Sequence, residues 1–419
     1  MDDVVETLQW AYENRVPVIP QGARTGLSGG ANAVDGCVLL SLEKMDRILE
    51  IDVEEQIAVV QPGVINARLA ATVAEKGLYY PPDPGSKDIS SIGGNVATNA
   101  GGMCCVKYGV TGDFVRALQV VLADGRVTRT GRRTAKGVAG YDLTRLFVGS
   151  EGTLGVVTEV TVALRSAAAR PLTAVAFFGD AADAGRAVAH YLGQGFRPSV
   201  LEFMDAASIK AISKIKDLGF PPGTGAVLIA QSDAGNNAAE ELKAFERSAR
   251  ACHATDVVVG DDPAEGDLLM QGRRLAGQSF EEYPGSLIDD VCVPRGKLAE
   301  LIAGVERIAA EHDVMIACVG HAGDGNMHPT VLFDLDQAEQ AQRAFDAVMR
   351  LGLDLGGTIT GEHGVGLLKR EWLARELDEA ALWAHHQVKQ GLDPRGILNP
   401  GRVVSSASGG RASPDRRSS

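Results

Sequence analysis

The chain contains no apolar run of about eighteen residues, the length a membrane-spanning helix needs. Its N-terminus, Met-Asp-Asp-Val-Val-Glu, has neither a basic opening nor an apolar stretch behind it. Neither a membrane span nor a secretory leader is therefore read, and a soluble, cytoplasmic protein is expected. Basic residues are in deficit: 41 Lys and Arg against 54 Asp and Glu give a formal charge of −13, which speaks against nucleic acid and anionic lipid as partners. The six cysteines, Cys37, Cys104, Cys105, Cys252, Cys292 and Cys318, show no CxxC spacing. That excludes a disulfide framework and an iron–sulfur pattern, and a bond between the adjacent Cys104 and Cys105 would be strained. Histidine is also scarce, with eight in all and none before His190. What remains is a chain of 419 residues with 45% apolar content, enough to bury more than one core, so two domains are expected.

Three of the histidines are concentrated late in the chain. Gly-His321-Ala-Gly-Asp-Gly-Asn-Met-His328 is followed about thirty residues later by Gly361-Glu362-His363-Gly364. Two neutral imidazoles and a carboxylate suit a borderline or hard divalent ion such as Zn or Mn. Three protein ligands leave a position open for a substrate oxygen, and a further histidine stands by as a base. The competing reading is a chance gathering of histidines in glycine-rich turns. The glycines serve no core, however, and they let backbone and side chains converge on one point.

A second pattern stands near the other end. Pro20-Gln-Gly22-Ala-Arg-Thr25-Gly26-Leu-Ser28-Gly29-Gly30 follows the strand-like run Val16 to Ile19, and its glycines open backbone N–H groups to a close ligand such as a phosphate. The spacing is neither GxGxxG nor GxxxxGK[ST], so neither a Rossmann nor a Walker loop is supported. Alone, the segment reads equally well as a structural connection. Further small-residue loops follow at Ser86, at Ser90 to Gly102, at Lys107-Tyr108-Gly109, at Gly140-Tyr141-Asp142, and at Gly149-Ser150-Glu151-Gly152-Thr153-Leu154-Gly155. Together they can line one long anionic ligand.

With these residues the chain resembles the flavoproteins of the vanillyl-alcohol oxidase (PCMH-type) superfamily, and within it the FAD-linked D-2-hydroxy acid dehydrogenases. The resemblance runs from about Val16 to Val403, with the flavin loops, HxxGDGNxH, GEHG and Ile397-Leu-Asn399-Pro400-Gly401-Arg402 in the family's order. It implies an α+β protein: a PCMH-type FAD-binding domain over residues 1–166 and a ferredoxin-like antiparallel α+β substrate and metal domain over 167–404. Residues 396–403 are expected to return to the flavin, and 405–419, with almost no apolar residues, to form a disordered tail. Relatives carry a first strand before the segment matching Asp2 to Arg15. Either the start is assigned too late or the truncated sheet edge has to be covered in some other way.

The apolar periodicity adds detail. Strands are read at 38–42, 57–60, 117–122 and 155–162, and a helix at 67–76. In the second domain strands are read at 173–178, 226–230, 287–293 and 314–319, and helices at 181–194, 237–252 and 298–312. No internal repeat is evident.

By resemblance, FAD is bound without a covalent link, and no histidine in the flavin domain is available for one. The implied contacts are Pro20, Gly22, Ala23, Arg24, Thr25, Gly26, Ser28 and Gly29 in the first loop, then Pro84, Gly85 and Ser86. Ser91, Gly93, Gly94, Asn95, Thr98, Asn99 and Gly102 follow, then Tyr108 and Gly109. Glu151, Gly152, Gly155, Val156 and the terminal Asn399 complete the set. For Asn95 and Asn99 the alternative is turn-capping by the amide.

His321, His328 and Glu362 are implied as metal ligands and His363 as the base. Asp324 and Asn326 are expected to steady the ligand histidines. Arg273 is the candidate for the substrate carboxylate, with Arg274 its competitor. The basic residue that reads a distal carboxylate in 2-hydroxyglutarate enzymes aligns with Ile288, which favours a small monocarboxylic 2-hydroxy acid, D-lactate first and glycolate second. The electron acceptor is expected to be a cytochrome, a quinone or an electron-transfer flavoprotein, with membrane contact only through it. A homodimer and a subunit of an oxidase complex both stay open. So do two rival functions, a metal-free flavin oxidase of alcohols or sugars and a non-catalytic flavin subunit.

Overall fold

The structure, a computed structural model, describes residues 1–260, 270 and 272–404; the tail expected at 405–419 lies outside them. Runs rich in Val and Ile form the N-terminal domain's five-stranded antiparallel sheet. Its order is Ile48–Asp52, Ile57–Val60, Val156–Ala163, Val115–Val121 and Val127–Gly131. Val60 and Val160 from this sheet pack with Leu69 and Val73 of the helix Asn66–Ala74 and with Ile92 and Val96 of the helix Ile92–Thr98.

A smaller parallel pair joins Val18–Gln21 to Val38–Ser41. On the other side of Val18, the peptide Ile397–Asn399 adds itself in parallel. The Val18 N–H donates to the Ile397 oxygen, and the Asn399 N–H to the Val18 oxygen, both at 2.8 Å. Leu398 packs with Val18 and with Leu8 and Ala11 of the helix Asp2–Asn14. One edge of this sheet is thus covered by the end of the described chain. The return to the first domain begins earlier than residue 396: Val388 and Leu392 of the helix Glu379–Leu392 already pack on the N-terminal core.

In the second domain the strand Leu172–Phe178, the helix Ala181–Gly193, the strands Val200–Asp205 and Ala226–Ser232, the helix Ala238–Ala251 and the strand Ala254–Val259 come in that order, with a further helix, Ala206–Ile215, inserted between the second and third strands. The fourth, first, third and second strands lie side by side in that order. The pattern then recurs without its last strand, through the strands Gly285–Ile288 and Val291–Cys292, the helix Leu298–Glu311, the strands Met315–His321 and Asn326–Phe333 and the helix Ala338–Asp354. The repeat lies in topology alone and leaves no periodicity in the sequence. The two units join edge to edge, with Phe203 opposite Gly320 and Met204 opposite Val319, to give one eight-stranded sheet.

Alternation along these strands decides which side chains face the helices and which face the N-terminal domain. Leu201, Phe203, Ile316, Cys318, Met327 and Val331 join the helix-side core. Met204, Val319 and Leu332 face the other way, in a cluster with Ile212 of the helix Ala206–Ile215, Phe280 of the helix Ala276–Phe280 and Met103 of the N-terminal domain. Glu202, His321, His328 and Thr330 lie on that second face by the same two-residue period.

The continuous strand read at 287–293 is divided. Between Ile288 and Val291 stand Asp289 and Asp290, both about 1% exposed or less. Buried carboxylates need donors that a sheet ladder does not supply, so the chain leaves the ladder there.

Candidate active site

A cavity of about 1020 Å³ runs between the two domains, from the glycine loops to the histidines. Pro20, Gly22, Ala23, Arg24, Thr25, Gly26 and Ser28 line it from the first loop, and Pro84, Gly85 and Ser86 from the next. Ser91, Gly93, Gly94, Asn95 and Thr98 continue the wall, followed by Glu151, Gly152, Gly155, Val156 and Asn399. The loops can meet because side chains are missing where they cross: a Cβ on Gly22 would lie 2.6 Å from Ser91 Oγ, and one on Gly93 2.5 Å from Pro62 Cβ. The volume and the backbone-rich wall fit a large, elongated ligand with anionic groups, as FAD is.

Five predicted flavin contacts lie outside this lining. Tyr108 is drawn away by the second domain: its hydroxyl and the Lys107 ammonium both meet the carboxylate of Asp233, and its ring meets that of Tyr79 edge-on at 5.7 Å. Gly109 follows it at φ +94°, against Asp113. Asn99 ends its helix in the left-handed conformation, and its amide oxygen accepts from Gly112 N–H at 2.8 Å. Gly102 lets the chain pass against the Asp83 backbone, where a Cβ would lie 2.5 Å from the carbonyl oxygen. Gly29 turns at φ +77° against Asn32 and Leu367. Asn95 reaches the wall, but its amide is engaged internally by Asn66 at 3.0 Å and Ser90 at 3.2 Å. Tyr141, in another of the small-residue loops, is 95% exposed.

At the far end of the cavity the register does the assembling. His321 is opposite Asn326 and Val319 opposite His328, which makes the two histidines diagonal neighbours on one face. Their rings are 5.1 Å apart and nearly perpendicular. Both Nε2 atoms point at one oxygen, Glu362 Oε1, each at 3.2 Å. Both Nδ1 atoms face a buried carboxylate, that of His321 at 2.7 Å from Glu202 and that of His328 at 3.5 Å from Asp290. Two histidines that each turn one nitrogen to a buried carboxylate, bonded in the case of His321, while the other nitrogens converge on a third carboxylate are the arrangement of a metal site with its orienting partners, so the residues present fit a divalent ion.

Asp290, His328, Glu362 and His363 also offer ligand atoms within 4.8 Å of one another. Asp290 Oδ2 is engaged, however, accepting from the N–H groups of Glu362 and His363 at 2.9 and 2.8 Å and from the Thr360 hydroxyl at 2.7 Å. It therefore serves better as the orienting group, with His321 as the ligand. His363 stacks on His328 at 4.9 Å and 14°, with Nε2 3.9 Å from Glu362 Oε1.

Electrostatics separates these roles. Burial opposes charge on both Glu362 and His321. Even so, His321 followed by His328 holds Glu362 well below the usual carboxylate range, while Glu202 and Glu362 hold His321 well above its ordinary value of 6.5. Burial dominates at His363 and keeps it below 6.5, which leaves a neutral imidazole at neutral pH. Burial likewise pushes Asp324, in the hairpin turn beside His321, up to about 6.

Arg273 lines the cavity, with Nε 2.8 Å from Glu202 Oε2. The sequence therefore left out a link: one fully buried carboxylate joins the candidate substrate arginine to a ligand histidine. Arg274, exposed, and Ile288 also line the cavity. The loop that follows the site is closed at its base by Lys369, 1% exposed, whose ammonium donates to Asp289 at 2.9 Å and to the Ile359 oxygen at 2.6 Å.

The chain also resembles known proteins over nearly its whole length. Residues 1–131 match the FAD binding domain family, and residues 168–403 match the family of FAD linked oxidases, C-terminal domain. Glycolate oxidase subunit GlcD of Bacillus subtilis (strain 168) is 40% identical over 409 residues, covering 96% of this chain and 87% of that relative. D-lactate dehydrogenase of Anaerostipes hadrus is 38% identical over 419 residues, covering 96% and 87%. Among solved structures, p-cresol methylhydroxylase with substrate bound superposes with a TM-score of 0.79 at 18% identity, covering 96% of this chain and 87% of that one, a likeness of fold. Among the described residues no helix is long and apolar enough to cross a membrane.

Proposed function

The chain belongs to the FAD-linked D-2-hydroxy acid dehydrogenase family of the PCMH-type flavoproteins, and from that premise we propose that it oxidises a small D-2-hydroxy acid, D-lactate before glycolate, to the 2-oxo acid. The observation that carries this reading is the convergence of His321 Nε2 and His328 Nε2 on Glu362 Oε1 at one end of the cavity lined by the glycine loops.

The glycine loops would hold FAD without a covalent link, and FAD when bound would supply the acceptor for the substrate's C2 hydrogen and its electron pair. A divalent ion, Zn or Mn, would supply Lewis-acid polarisation of the substrate when bound. His321, His328 and Glu362 would hold that ion, with Glu202 bonded to Nδ1 of His321 and Asp290 facing Nδ1 of His328, so that both Nε2 atoms face inward. Arg273 pairs with the substrate carboxylate from the cavity wall, kept in place by Glu202. His363, neutral because it is buried, takes the hydroxyl proton as C2 becomes a carbonyl carbon, a contribution of about 10²- to 10⁴-fold. Ile288, apolar, lines the cavity at the position where a cation would read a second carboxylate, which favours a monocarboxylic substrate.

The test is a panel of D- and L-2-hydroxy acids, alcohols and sugars with a dye acceptor, run on protein loaded with FAD and Mn or Zn. Turnover of D-lactate and glycolate that a chelator abolishes is the expected outcome. Chelator-resistant turnover of alcohols or sugars points to a metal-free oxidase, and no turnover of any compound points to a non-catalytic subunit.

A further inference from the structure

Gly361–Gly366 carries Glu362 and His363 yet belongs to no helix or strand. Gly364 at φ +82° and Gly366 at φ +50° give it backbone freedom that something has to restrain. Two buried carboxylates do so, one from each domain. Asp290 grips the front of the segment through the N–H groups of Glu362 and His363. Glu151, of the N-terminal domain and 7% exposed, grips the back: Oε1 accepts from Val365 N–H at 2.7 Å and Oε2 from Gly366 N–H at 2.9 Å.

The contact leaves no slack. A Cβ on Gly364 would lie 2.8 Å from Glu151 Oε1, and one on Gly366 2.1 Å from the Ser28 oxygen. Ser28, a wall residue of the first glycine loop, donates its hydroxyl to the His363 oxygen at 3.0 Å and accepts from Leu367 N–H at 2.9 Å. Glu151 is itself fixed, because Asn399 Nδ2 donates to its backbone oxygen at 2.7 Å. The sequence marks Glu151 as a flavin contact, but both of its carboxylate oxygens are turned to the ion-bearing loop.

We propose that Glu151 is a positioning residue that holds the loop bearing Glu362 and His363 against the flavin cavity, so that the N-terminal domain sets the geometry of an ion site whose histidines belong to the second. This rests on the ion and base assignment made above. Both oxygens of one buried side chain align two N–H groups of the loop here. Glu151→Gln keeps the shape but sets an NH₂ group against one of the two N–H donors. Glu151→Asp keeps both acceptor oxygens on a shorter stem.

The test uses the full-length, FAD-loaded protein. Calorimetric titration with Mn²⁺ should show Glu151→Gln binding about 10- to 100-fold more weakly, the range found when a group supporting a metal ligand is lost. Flavin content and visible spectrum should stay as in the wild type, kcat should fall with the ion affinity, and Glu151→Asp should recover part of both. Amide hydrogen exchange over residues 361–368 should quicken in Glu151→Gln. A Glu151→Gln protein that sheds FAD but binds Mn²⁺ normally makes Glu151 a flavin contact and overturns the proposal, as do unchanged affinity and unchanged exchange. If the wild type binds no Mn²⁺, the ion assignment fails by itself. Exchange then decides Glu151: quickening keeps its hold on the His363 loop, and unaltered exchange removes it.

Discussion

Where the cavity runs through the N-terminal domain its wall is rich in glycine, and the contacts that shape it are places where no side chain fits, as at Gly22 and Gly93. Where it enters the second domain the wall is charged side chain: Glu202, Asp290, His321, His328, Glu362 and His363, all buried or nearly so and each within ionic reach of another. The first construction suits a large ligand held by many weak donors. The second suits a small, highly charged one, since a buried carboxylate without a cation is costly. Two sites so differently built should fail separately, and substitutions can be chosen to make them do so.

The largest effect is expected from the convergent ligands. His321→Ala, His328→Ala or Glu362→Gln should each lower turnover by about 10³-fold, the several kcal/mol that a Lewis acid contributes, while flavin content stays unchanged. Flavin loss alongside ion loss in these variants would break the separation. His363→Asn should follow with about 10²-fold in kcat, and it should flatten the acidic limb of the rate profile, which lies below pH 6.5 because burial lowers that imidazole. Metal content measured on the same preparation sharpens the assignment, since a variant that loses its ion makes His363 a ligand.

On the other side of the cavity, Gly93→Ala places a Cβ 2.5 Å from Pro62 Cβ and 3.0 Å from the Pro62 Cα. The backbone shift this forces should weaken FAD binding about tenfold and leave Mn²⁺ affinity alone, both readable by titration.

The smallest effect is one of pH. Without an ion, Glu202 and Glu362 keep a proton on His321 well above its ordinary 6.5, and a ligand imidazole must be neutral. Ion binding therefore releases that proton, and affinity should rise about tenfold per pH unit below the His321 value, seen as proton release in buffers of different ionisation enthalpy.

The two regions also differ in how much of them the sequence discloses. The glycine loops are legible because a backbone-built wall has to write itself as glycine, and most residues named from them line the cavity. Tyr108 is the instructive exception: its loop has the right composition, but Asp233, more than a hundred residues away, draws the side chain to the domain boundary. The two histidines proposed as ligands are legible because HxxGDGNxH is a hairpin that sets both on one face. Their partners are not. Glu202 interrupts the apolar pattern of Val200–Asp205, so the strand that delivers it goes unread. Asp290 sits inside what reads as one continuous strand, and only the packing of the 361–366 loop reveals why that strand is divided. Glu151 is read as a flavin contact because its position in the chain marks a flavin loop, and it lines the cavity, but the direction of its carboxylate depends on a segment some two hundred residues further on.

The central claim is that an ion held by His321, His328 and Glu362 acts together with a separately held flavin. Anaerobic stopped-flow mixing of the FAD-loaded protein with D-lactate, before and after chelation and again after restoring Mn²⁺, tests it most directly. Fast bleaching of the flavin that chelation slows by about 10³-fold, that Mn²⁺ restores, and that occurs at constant flavin content is the predicted result. Bleaching at the same rate with and without the chelator would contradict the account.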